Sequence, residues 1–285
     1  MKRRLGPCPA TVVGVSGSAR DLRSTYETVT AEAGGDWHSL VTIAGRGTVI
    51  ERDADYVIEG ASVQKLAIAL AVLDKVDRGE LALSDRLELT PDIVAPGTGV
   101  YGVQAAYGDE LTLANILVAM LQASDNTAVR MFGLVVPGPE INDILAAKGF
   151  TYTRVEPLPD NPNRFFLGTT TPRETHTLLT GLADQTLLSA GSTRAMLSAL
   201  RRSEGGYCDG VRRAMSSAER ARVATKHGAD SDRRHEAGVI LDATGAPVLT
   251  FAYFADNLDD IDNYGATHPA VEAHAALGRT MYDTA

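Results

Sequence analysis

Ser62-Val63-Gln64-Lys65-Leu66-Ala67-Ile68-Ala69-Leu70-Ala71-Val72-Leu73 is the stretch that decides how this chain folds. From Leu66 to Leu73 the run is apolar on every side, which marks a helix buried in the middle of a domain. Gly79 supplies its stop signal. At the head of that helix stand a serine and a lysine three residues apart. Positions at this spacing share a helix face, so the Lys65 amine reaches the Ser62 hydroxyl. The helix N-terminus aims its N–H groups and its positive dipole end at the same place. Ser62 could serve only as an N-cap, with Lys65 solvated in the first turn. A lysine at the start of a buried helix is costly unless it is paired or working, and the catalytic reading takes precedence.

Working outward, a second buried helix spans Leu111 to Leu121. The turn after it carries Ser124-Asp125-Asn126, just before another helix near 127–132. Asp125 is the natural cap of that helix, which leaves Ser124 and Asn126 to face a cleft. Further on, 221–226 reads as a strand ending in Lys226-His227-Gly228, where Gly228 lets a ligand come close to the backbone. The strands at 237–241 and 248–254, joined by Ala243-Thr244-Gly245-Ala246, form a hairpin. Two more strands fall near 37–44 and 48–53. Helices at 21–33 and 270–282 open and close the folded part.

The series S-x-x-K, S-D-N, K-x-G resembles the class A serine β-lactamase family. Further matching stretches are Gly97-Thr98-Gly99-Val100, Leu111-Thr112-Leu113, Thr170-Thr171-Pro172-Arg173 and Gly238-Val239-Ile240. The resemblance runs from about Asp21 to the C-terminus. It implies an α+β fold in which an antiparallel sheet is flanked by helices and an all-helical half, about 61–204, is inserted between two strands. The expected organisation is an N-terminal arm or poor signal-like segment over 1–20 and one catalytic domain over 21–285, with the active site at the junction of its halves.

The resemblance also implies roles. Ser62 attacks a carbonyl and becomes an acyl-enzyme. Lys65 accepts its proton, or orients a water that does. Ser124 relays the proton to the leaving nitrogen while Lys226 keeps the field positive. Asn126 binds the side-chain amide of the substrate, and the backbone N–H groups of Ser62 and Ala229 form the oxyanion hole beside Gly228. Arg154-Val155-Glu156-Pro157 matches the start of an omega-shaped loop and Thr169-Thr170-Thr171-Pro172 its end. Glu156 is therefore the expected general base for deacylation, unless it is an ordinary exposed carboxylate. The residues between lack the family's usual wording, with Asp160 or Asn161 left as alternatives for orienting the water. His227 stands where the family has Thr or Ser; a protonated imidazole would bind a substrate carboxylate. Arg233 and Arg234, placed on the loop beyond, either supply an anion contact or are solvated.

Composition narrows the class. The formal charge of −9 argues against nucleic-acid binding, and no apolar run approaches the ~18 residues of a membrane span. The six histidines show no H-x-H or H-E-x-x-H spacing, so no metal and no other cofactor is expected. Cys8 and Cys208 suggest neither a disulfide framework nor a metal site. Lys2-Arg3-Arg4 and Gly17-Ser18-Ala19 resemble the ends of a signal peptide. Gly6, Pro7, Pro9 and Gly14 interrupt the apolar core it needs, which favours a cytoplasmic location over export. The expected partner is a small-molecule β-lactam or related acyl substrate met by a monomer. The leading reading is a serine β-lactamase that hydrolyses a cyclic amide. The alternatives are a D,D-peptidase, esterase or biosynthetic amidase, or a β-lactam sensor that is acylated without turnover.

Overall fold

The computed structural model describes residues 18–104, 106–202 and 210–285. Its buried centre is helix α2, Lys65–Asp77, in which every residue from Leu66 to Leu73 is at most 1 % exposed. Arg78 caps it and Gly79 follows with φ +74°, the left-handed turn that a glycine stop permits.

A five-stranded antiparallel sheet stands beside it, in the order β2-β1-β10-β9-β8. Its strands are β1 (Asp36–Ile43), β2 (Gly47–Arg52), β8 (Val223–Asp230), β9 (Arg233–Leu241) and β10 (Pro247–Asp256). Side chains of β10 alternate between two cores, as the period of two requires. Phe251 and Tyr253 face α1 (Ala19–Ala33) and α9 (Pro269–Thr284), packing with Leu22, Trp37 and Leu277. Ala252 and Phe254 face the helical half and share its core with α2. Buried on both faces, the sheet is the rigid wall of the site.

Between β2 and β8 the chain leaves the sheet and builds the second half. It contains α2, α3 (Leu113–Gln122), α4 (Asn126–Gly133), α5 (Gly138–Ala147), α6 (Pro172–Ala183) and α7 (Ala190–Leu200), with the one-turn α8 (Ser217–Arg220) after it. This half is not wholly helical, as the resemblance had implied. A short ladder pairs β4 (Arg86–Glu88) with β5 (Glu110–Thr112). A second joins β3 (Ile58–Glu59), β7 (Asn161–Thr170) and β6 (Arg154–Leu158), with β7 in the middle. The stretch expected as an omega-shaped loop is thus a β-hairpin. Helix α1 begins two residues before the expected Asp21, because Ser18 and Asp21 form a reciprocal capping box. Cys8 and Cys208 lie outside the described residues. Among the described residues no helix is long and apolar enough to cross a membrane.

Candidate active site

Ser62 sits on a tight 3₁₀ turn, Ala61–Gln64, directly ahead of α2, and Lys65 is the first residue of the helix. At three residues per turn, positions 62 and 65 are eclipsed, and the Lys65 Nζ lies 3.0 Å from the Ser62 Oγ. Ala61 takes φ +42° to aim the turn. For a residue with a Cβ that costs about 1–3 kcal/mol, the kind of strain that collects at functional sites.

Ser124 sits between the two lysines. Its Oγ is 3.1 Å from the Lys65 Nζ and 3.0 Å from the Lys226 Nζ, and its carbonyl accepts from Lys65 at 2.6 Å and from the Thr98 hydroxyl at 2.8 Å. Ser124 itself has φ +53°. Asp125 caps α4 as expected, accepting from the Ala128 amide at 2.9 Å. Its other oxygen takes the amides of Val100 and Tyr101, which ties the 97–101 segment to the site. Asn126 accepts from Lys65 at 2.8 Å and donates to the Pro96 carbonyl at 2.9 Å.

The buried Lys65 amine therefore faces four oxygen acceptors. Desolvation lowers its pKa to about 7, against an upward pull from Asp125. At neutral pH a large fraction is free amine, able to accept a proton from Ser62. Lys226, on β8, also donates to the His227 carbonyl at 2.8 Å. Gly228 next to it is a fitting necessity: a Cβ there would stand 2.9 Å from the amide nitrogens of both Ser62 and Val63. Only glycine lets β8 lie this close to the nucleophile's turn.

These parts open into one cleft of about 540 Å³. Ser62, Ser124, Asn126, His227 and Ala229 line it, together with Glu59, Thr98, Phe166, Leu167, Asp230 and Tyr264. A groove of about 600 Å³ between α1 and β2 is larger but holds none of these groups; chemistry, not size, identifies the site.

Four expectations change. Glu156 is exposed on β6, the outer strand of its ladder, opposite Phe166, and is not part of the cleft lining. Asp160 is exposed in the hairpin turn, and Asn161 accepts from the Asn163 amide beside a separate small pocket. His227 does line the cleft but not as a cation. Burial pushes its pKa well below the usual value, and Lys226, Arg202, Lys65 and Arg212 add to this. Arg233 and Arg234 open strand β9 and do not sit on a loop. Arg233 pairs with Glu59 at 2.9 Å, and the buried Arg234 donates to the carbonyls of Ser231, Arg233 and Asn263.

Other contributors had no motif to announce them. Gln64 donates to the carbonyls of Arg154 and Thr169, both at 3.0 Å, latching the hairpin to the nucleophile's turn. Strand chemistry in Phe165-Phe166-Leu167 and Thr169-Thr170 was the available signal for the hairpin. Among the described residues no group of three or more His, Cys, Asp or Glu is placed to hold a metal ion.

The architecture has known counterparts. A model of the beta-lactamase enzyme family matches residues 21–285. The β-lactamase VEB-1 of Pseudomonas aeruginosa is 31 % identical over 99 residues; the match spans 34 % of this chain and only 33 % of that protein. A β-lactamase of Sphaerobacter thermophilus is 26 % identical, with a TM-score of 0.73 over 91 % of this chain and 94 % of its own. An ancestral class A β-lactamase, 20 % identical, shares the fold with a TM-score of 0.76 over 91 % and 98 % of the two chains.

Proposed function

The chain belongs to the beta-lactamase enzyme family, and on that premise we propose that it is a serine acyl enzyme whose Ser62 opens a β-lactam or a related strained amide. The observation that carries this is the Lys65 amine, buried, held to a pKa of about 7 and 3.0 Å from the Ser62 Oγ. Free-base Lys65 takes the Ser62 proton as Oγ attacks the carbonyl carbon. The oxyanion that develops is held by the amides of Ser62 and Ala229; one such donor is worth about 2.7–4 kcal/mol in the transition state. As the C–N bond breaks, the leaving nitrogen takes the Ser124 hydroxyl proton. Lys65, now an ammonium, restores that proton across 3.1 Å, and Lys226 holds the local field positive. The amide side chain of Asn126 receives the acyl side chain.

Water then has to release the acyl group. Glu156 is exposed cross-strand from Phe166 and does not itself line the cleft, and the cleft carboxylate of Glu59 is committed to Arg233. The favoured reading is fast acylation and slow release, as in an acyl transferase or a sensor. A second reading, a hydrolase with full turnover, is favoured by Lys65, which returns to free base after acylation and stays beside the new ester.

The test mixes the protein with benzylpenicillin and a chromogenic cephalosporin, following absorbance and intact mass, with Ser62→Ala alongside. A lasting adduct of one acyl group, absent from Ser62→Ala, is the expected result. Rapid Ser62-dependent turnover without an adduct would establish the hydrolase. Neither adduct nor turnover would sink the β-lactam reading and direct the search to esters and peptides.

A further inference from the structure

Besides Ser62 and Ser124, two aromatic side chains, Phe166 and Tyr264, line the cleft. The leaving nitrogen is served by Ser124, which touches Lys226, so the leaving group lies toward that lysine. The acyl part must then extend along β8 toward Asp230, four residues on and roughly 13 Å away at a strand's rise per residue. At this end stands Tyr264. Its hydroxyl accepts from the Ser231 amide at 3.0 Å and its ring lies against the Arg234 guanidinium at 4.7 Å. The ring is thus braced from behind and open in front, 49 % exposed. From the hairpin comes Phe166, 65 % exposed. Its strand neighbours Phe165 and Leu167 pack against the helical core, so they account for the hairpin's seating and the Phe166 ring does not.

The charge of this end is equally one-sided. Glu59 and Asp230 line the cleft, and no lysine or arginine is among the described residues lining it. Glu59 is paired with Arg233; Asp230 makes no ion pair among the described residues. A second anion placed here meets the Asp230 carboxylate, whose charge the Arg234 guanidinium behind the Tyr264 ring moderates.

We propose that the acyl group of the natural substrate carries a flat aromatic ring that lies against Phe166 and Tyr264 and bears a neutral or cationic substituent in preference to an anionic one. This rests on the Ser62 acyl-enzyme reading. Ring-on-ring contact and the apolar area it covers predict a preference of roughly 10-fold over an open alkyl chain.

The experiment compares second-order rates of adduct formation, by intact mass, for four penicillins on one nucleus. They carry a short alkyl chain, a benzyl group, an α-aminobenzyl group and an α-carboxybenzyl group. Wild type should take the two uncharged or cationic aryl compounds roughly 10-fold faster than the alkyl one, and the carboxybenzyl compound more slowly than benzyl. Phe166→Ala and Tyr264→Ala should each shrink the aryl-to-alkyl ratio, and Asp230→Asn should narrow the gap between aminobenzyl and carboxybenzyl. An aryl-to-alkyl ratio near one in wild type, or a ratio that survives both alanine variants, overturns the proposal. The absence of adduct with all four compounds would instead overturn the acyl-enzyme reading, and this inference with it.

Discussion

The two walls of the cleft differ in how completely they are equipped. On the wall formed by the Ser62 turn, the Ser124 turn and β8, the side chains of Ser62, Lys65, Ser124, Asn126 and Lys226 are linked by hydrogen bonds of 2.6–3.1 Å. On the hairpin wall, β7 offers the cleft an aromatic ring and a leucine, and Glu156, cross-strand from that ring, is exposed and outside the lining. On the proposed reading, the first wall serves acylation and the second offers little for release.

The sharpest way to break this contrast is at Lys65. Lys65→Ala should slow adduct formation by on the order of 10²–10⁴-fold, and a rate within a few-fold of wild type would remove the amine from the mechanism. pH tests the same group without mutation. Below about 7 the amine is protonated and cannot accept the Ser62 proton; above it the free base dominates. Acylation should therefore fall as pH drops through about 7 and level off on the alkaline side, a limb that disappears if another base serves Ser62. Gly228→Ala comes next. Its Cβ would press on the Ser62 and Val63 amides and displace the nucleophile, with an expected loss of about 10²-fold in acylation rate.

Smaller effects probe the hairpin. Gln64→Ala leaves two carbonyls without their donor and should cost about 1–2 kcal/mol in denaturant unfolding, with faster amide exchange in 154–170 than elsewhere. Glu156→Gln should leave the release rate of a pre-formed adduct unchanged. A large slowing there would restore Glu156 as the base.

What the sequence made legible follows locality. Ser62 and Lys65 are three apart on one turn, Asp125 caps the helix it precedes, and the β9–β10 hairpin carries its turn residues in order; each is decided by neighbours along the chain. The hairpin at 154–170 was obscured because both its ends match an omega-shaped loop in wording, although Phe165-Phe166-Leu167 and the threonines that follow favour strand. Arg234 gave no local sign of burial, since its ring partner Tyr264 and the carbonyl of Asn263 lie about thirty residues downstream. The latch of Gln64 spans 90 and 105 residues, and no spacing rule reaches that far.

The site's dispersal along the chain has one more consequence. Lys65 meets Ser124 across 59 residues, and Lys226 meets it across 102. In an unfolded chain the Lys65 amine reverts to its ordinary value of 10.5, and Ser62 becomes a hydroxyl like any other. If Ser62 is the nucleophile proposed here, its reactivity belongs to the finished fold, and unfolded copies should not react. An acylating probe that labels Ser62 would, for that reason, count correctly assembled molecules one at a time.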